Sequence, residues 1–178
     1  MIKLKDILQE IGDASAKAFP WKYDNTDNED FRYKFQTDDG TYTALFTLSG
    51  SNEWDLSFGK GGGWTNIDTT TVTGVGPFRV MATLVEIVKD FLDNTFEKHI
   101  DDKDLYASVG PIYASGGTEE LVPKMISFNT SKEGGRSEEQ DSRRSNLYKA
   151  YFQKHVPQAK VEKVFSDSRS DFYTITLP

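Results

Sequence analysis

Between residues 31 and 58, apolar side chains alternate with polar ones in three successive runs: Phe31, Tyr33, Phe35; then Tyr42, Ala44, Phe46, Leu48; then Trp54, Leu56, Phe58. A two-residue period is what a strand needs when one of its faces is dry and the other wet. Asp38-Asp39-Gly40 separates the first two runs, and Ser49-Gly50-Ser51-Asn52 separates the second from the third. Asp-Gly between alternating runs marks a hairpin, because glycine accepts the positive φ of a tight reversal. The spacing therefore predicts an antiparallel meander with one apolar face, and that face has to be covered.

The rest of the chain supplies the cover. Leu4, Ile7, Leu8 and Ile11 fall on one face of a first helix. Met81, Leu84, Val85, Val88, Phe91 and Leu92 repeat at helical spacing behind Pro77, a residue tolerated in a first helical turn. This is the expected central helix. A last helix carries Leu147, Tyr148, Tyr151, Phe152 and Val156 and stops before Pro157. Met125 to Phe128 reads as a short buried strand, and Val161, Val164, Phe172, Tyr173, Ile175 and Leu177 give two more. Residues 18 to 30, with Pro20, Trp21 and an acidic run, read as a surface loop. The stretch 93–124 reads as an insertion or long ordered loop. Helix, three or four strands, helix, strand, helix, two strands is an α+β order: a mixed, mostly antiparallel sheet with helices packed on it, in one domain over 1–178.

Composition narrows the function. A hydrophobic content of 37% in 178 residues suffices for a core. The absence of cysteine removes disulfides, thiolate catalysis and cysteine-ligated metals. A formal charge of −7 argues against an electrostatic grip on nucleic acid. No apolar run approaches the roughly 20 residues of a membrane span, and the acidic N-terminal segment lacks the pattern of a secretion signal, so a cytoplasmic protein is expected. Asp24, Asp27, Glu29 and Asp30 lack the register of a calcium loop, and His99 and His155 are expected at the surface; no metal site is assigned.

The element order, Gly74-Val75-Gly76 running into the central helix, and Asp141-Ser-Arg-Arg144-Ser-Asn-Leu147-Tyr148 together resemble the GCN5-related N-acetyltransferase fold. In that family acetyl-CoA sits at a splay between two central strands. The resemblance places the pyrophosphate loop R/Q-x-x-G-x-G/A at Gly74, Val75 and Gly76 with Phe78 beyond. Backbone N–H groups at a helix N-terminus suit such an anion. It also matches Leu147 and Tyr148 to the motif N-x-x-A-x-x-L-Y, whose tyrosine can protonate the leaving thiolate. Thr71 stands at the R/Q position, and Asp141 and Arg144 replace the Asn and Ala of the later motif. Phe78-Arg-Val-Met-Ala-Thr and Ser142-Arg-Arg-Ser-Asn-Leu-Tyr further resemble small uncharacterised proteins of tailed bacteriophages, which would place the protein in a host cytoplasm.

The resemblance implies a phage-type accessory protein with a degenerate acetyltransferase-like fold, binding or structural rather than catalytic. The alternatives are an active N-acetyltransferase passing the acetyl group of acetyl-CoA to an amine with Tyr148 as acid, and a virion component or inhibitor of a host protein. Arg136, Arg143 and Arg144 are the candidate surface for a protein partner, although Glu138, Glu139 and Asp141 are interleaved with them and can satisfy them locally.

Overall fold

The computed structural model describes residues 17–26, 28–38, 40–61, 77–103, 105, 118–131, 149–150, 152–166 and 170–178. The predicted first helix at 3–16 and the threonine-rich stretch 65–73 lie outside them. Seven strands form one sheet: β1 (Trp21–Asp24), β2 (Phe31–Thr37), β3 (Gly40–Gly50), β4 (Glu53–Lys60), β5 (Met125–Ser131), β6 (Lys160–Ser166) and β7 (Ser170–Thr176). Their spatial order is β1-β2-β3-β4-β5-β7-β6. Every neighbouring pair is antiparallel except β4 and β5, which run parallel. The α+β reading and the mixed, mostly antiparallel sheet are thus correct.

The β2–β3 hairpin closes at Gly40, whose φ of +137° is open to glycine and whose missing Cβ would meet Lys60 Cε at 2.8 Å. Asn52 makes the next reversal with φ 60°, a conformation asparagine tolerates. Its amide Nδ2 donates to the carbonyls of Glu119 and Val122 at 2.8 Å each, and its own carbonyl accepts from the N–H groups of Lys124 and Met125 at 3.0 Å. One turn residue thereby fixes where the chain enters β5, far away in sequence.

Alternation sends Phe31, Tyr33, Phe35, Tyr42, Phe46, Leu48, Trp54, Leu56, Ile126, Phe128, Tyr173 and Ile175 into a single core. α1 (Pro77–Asp90) covers them with Val80, Met81, Leu84, Val85, Ile87 and Val88. The helical path then continues through a π turn, Phe91–Thr95, into α2 (Phe96–His99) and a 3-10 turn at Ile100–Asp102. Residues five apart on an α-helix point about 140° from each other. The wider turn, closed by the Phe96 N–H on the Phe91 carbonyl, lets both Phe91 and Phe96 enter the core. Asp90 holds it by accepting from Thr95 Oγ1 at 2.7 Å and Asn94 Nδ2 at 3.1 Å. Helical residues at 149–150 and 152–155 bring Phe152 onto Phe128, with ring centroids 5.5 Å apart, on the same face as α1.

Two sequence readings need amendment. The expected loop at 18–30 contains β1, whose Trp21 and Tyr23 offer only two alternating apolar positions, too few for a periodic signal; pairing with Phe35 and Tyr33 makes the strand. The expected loop at 93–124 begins inside helix, since the π turn and α2 carry the path to His99. Among the described residues no helix is long and apolar enough to cross a membrane.

Candidate functional site

The sheet opens at its parallel pair. β4 and β5 keep register for four residue pairs, Glu53–Met125 to Leu56–Phe128. Among the described residues, β4 then continues to Lys60 against β3 alone, while β5 continues to Ser131 against β7 alone. Parallel strands joined by a long crossover have no hairpin to hold their ends together, so nothing local forces the pairing to continue.

The side chains at this opening follow from period 2. Trp54, Leu56, Ile126, Phe128 and Tyr173 point to the helices, so Asp55, Ser57, Ser127, Asn129 and Phe172 point to the opposite face. Together with Val164 of β6 they line a cavity of about 330 Å³. Desolvation pushes the Asp55 carboxyl above the usual carboxylate range, partly countered by a hydrogen bond from Ser49.

β6 contributes a second device. Val161 and Lys163 oppose Ile175 and Tyr173 on the helix-covered face, but the register slips between Lys163 and Phe165, so that Phe165 opposes Phe172. The bulge thereby turns Phe165 to the cavity face, where its ring lies 5.6 Å from that of Phe172. Lys163 Nζ stays on the other face, 2.8 Å from Asp171 Oδ1.

A second cavity, of about 650 Å³, lies at the β1–β2 edge and is lined by Lys22, Lys34, Gln36 and Thr41, with Pro20 and Trp21. Its polar groups already serve one another: Lys34 Nζ lies 2.5 Å from Asp24 Oδ2, and Thr41 Oγ1 donates to Gln36 Oε1 at 2.7 Å. It is larger but offers less unspent chemistry than the opening between β4 and β5.

Of the residues singled out in sequence, Phe78 falls in the first turn of α1. Gly74, Val75, Gly76, Arg136, Arg143, Arg144 and Tyr148 lie outside the described residues. Asp55, Ser57, Ser127, Asn129, Phe165 and Phe172 were not singled out. As the polar half of alternating strands they are indistinguishable in sequence from any solvent-facing residues.

Neither histidine lines either of these two cavities. His99 packs on Tyr23, ring centroids 4.7 Å apart, with its Nδ1 3.2 Å from Asp102 Oδ2. Burial, with Asp102 and Asp24 nearby, pushes the Tyr23 hydroxyl up to about 12, so it stays neutral. Burial also lowers the His155 pKa, helped by Lys154 and Lys89. Among the described residues no cluster of three or more histidine and acidic side chains could hold a metal ion. Comparison with protein families, with curated proteins and with solved structures finds no match to this chain.

Proposed function

We propose that this chain is an acetyltransferase-like domain that takes acetyl-CoA at the parting of β4 and β5 and passes its acetyl group to an amine held on the Asp55 side. The observation that carries this reading is the opening itself: a parallel pair that separates after Leu56 and Phe128, with the Asp55 carboxyl lining the cavity beside it. The acetyltransferase resemblance implied a splay between two central strands, and strand parting at this place supports it. Gly74, Val75 and Gly76 would cradle the pyrophosphate, with Phe78 next to them.

The chemistry follows. The amine nitrogen attacks the thioester carbonyl carbon, the N–C bond forms, the C–S bond breaks, and the thiolate leaves. Asp55 accepts the proton shed by the nitrogen, and Tyr148 returns one to the thiolate sulfur. Beyond Leu56 and Phe128 the facing edges of β4 and β5 have no strand partner across the gap among the described residues. Their N–H groups suit the developing oxyanion.

The departures at Thr71, Asp141 and Arg144 favour a second reading, in which a phage-type accessory domain keeps the cleft and has lost the reaction. One experiment separates them. Acetyl-CoA is expected to raise the melting temperature in a concentration-dependent way, because a ligand of the native state stabilises it by mass action, and Gly76→Trp is expected to abolish the shift. Acetylation of an amine panel supports the transferase. A shift without turnover selects the accessory domain, and the absence of any shift at millimolar acetyl-CoA overturns both.

A further inference from the structure

We propose that the outer edge of β6 pairs with β6 of a second copy of this chain, antiparallel about a two-fold axis at Val161, so that two sheets join into one.

β6 is the last strand of the described sheet and is bound to β7 on one side. From Lys160 to Ser166 every residue but Val161 is exposed, including neighbours such as Glu162 and Lys163 that point to opposite faces. Among the described residues three large hydrophobics stand exposed, Val122, Val164 and Phe165, and the last two are adjacent on this strand, at 60% and 58%. An edge strand presents a row of backbone N–H and C=O groups on which another strand can pair. Two adjacent apolar side chains left in solvent add an apolar contact for whatever pairs there.

Lysines commonly blunt such an edge. Both lysines of β6 are already neutralised within the chain. Lys160 Nζ lies 2.9 Å from Glu162 Oε2, and Lys163 Nζ lies 2.8 Å from Asp171 Oδ1. The bulge between Lys163 and Phe165 ends regular pairing on that side and confines an added strand to the residues before Val164.

Symmetry then selects the occupant and the register. Homo-oligomers are most often two-fold, with the same patch used by both copies. A two-fold axis perpendicular to the sheet keeps every side chain on its own face, so opposed residues share a face and the pairing is centred on a residue. Centred on Lys160 or on Lys163, it opposes two lysines; centred on Glu162, it opposes two glutamates. Centred on Val161, it sets Lys160 against the Glu162 of the second copy twice, on the face away from the helices. Opposite charges directly across an antiparallel pair stabilise it, and like charges destabilise it. Only this register is self-complementary, and it extends the Lys160–Glu162 bridges into a ring of alternating charges. It also brings Val164 and Phe165 beside the exposed turn at 157–158 of the second copy, where a proline ring offers an apolar partner.

The test is sedimentation velocity of the full chain over a concentration series up to millimolar. The parent chain is expected to pass from monomer to dimer along the series, and less so in high salt, which screens exposed charges. Lys160→Glu and Glu162→Lys, both at exposed positions, each turn the two attractive pairs into repulsive ones and should weaken association by about tenfold. Both exchanges in one chain reverse the pairs and should restore the dimer. Loss in each single variant with recovery in the double one is the mark of this register, since a pairing centred on Glu162 is indifferent to Lys160→Glu. Phe165→Ala should weaken association as well, and carries the test should a charge variant fail to fold. A chain that stays monomeric throughout, association indifferent to either single exchange, a double exchange that stays monomeric, or a dimer untouched by Phe165→Ala overturns the assignment.

Discussion

In the antiparallel half of the sheet, Phe31, Phe46 and Trp54 close around Phe91, the Phe46 and Phe91 rings stacked with centroids 4.0 Å apart and Phe96 completing the group. Beyond β4 the same residue type is used differently, with Phe172 at a cavity wall and Phe165 largely in solvent. Aromatic rings bring large buried area and specific ring geometry wherever they meet. The first half uses that area to hold the fold together; the second does so with Phe128, Phe152 and Tyr173 but leaves Phe172 and Phe165 on the cavity face. Carboxylates divide in the same way. Asp24 is held below the usual carboxylate range chiefly by its hydrogen bond with Lys34, while Asp55 is pushed above it by desolvation. The cavity side of the parallel pair thus carries a carboxylate and aromatic rings that the core does not use.

Substitutions test that division. The largest effect belongs to Trp54→Ala, which empties a fully buried site and removes the indole donor to the Leu121 carbonyl at 2.9 Å. A loss of about 3–5 kcal/mol in chemical denaturation is expected, and a loss below 1 kcal/mol would break the view of this cluster as the stabilising half. Asn52→Ala removes two side-chain hydrogen bonds and strains a positive φ, and should lose about 2 kcal/mol by the same measurement. Asn52→Gly should recover the part due to φ.

The two carboxylates give effects of opposite sign. Asp24 has a lowered pKa in the folded state, so its stabilisation is present above the usual carboxylate range and fades as pH falls through the folded value. Asp24→Asn should therefore lose about 1 kcal/mol at pH 7 and converge with the parent protein in acid. Asp55 has a raised pKa, so its contribution is complete below the usual range and disappears as pH rises through the folded value. Asp55→Asn should leave the melting temperature at pH 7 equal or higher while amine binding falls. A melting temperature that drops with Asp55→Asn would assign this residue to the fold rather than to a site. The smallest effect is that of Phe165→Ala, within about 0.5 kcal/mol, as for a surface position.

Much of this architecture is legible in the residues because it is local. The three alternating runs, the Asp-Gly reversal, the stripe from Met81 to Leu92 and the halt before Pro157 each report a periodicity or a backbone preference that neighbours in sequence impose. β1 escapes such reading, since its four residues are a strand only through pairing with β2. The π turn escapes it too, because only the core can require Phe91 and Phe96, five residues apart, on one side. For the site, the sequence singles out Gly74-Val75-Gly76 and Leu147-Tyr148, which lie outside the described residues, and is silent on Asp55 and Phe172.

What the sequence determined by itself is which face of β2, β3 and β4 is dry and where the central helix starts. Only the tertiary structure decided that β5 lies parallel beside β4, that the two separate after four pairs, and that a bulge in β6 returns Phe165 to the face of Phe172. The physical reason is range. Alternation and capping are settled between residues a few positions apart, whereas register between β4 and β5 joins residues about 70 apart, Leu56 to Phe128 among them, and depends on how everything between them packs.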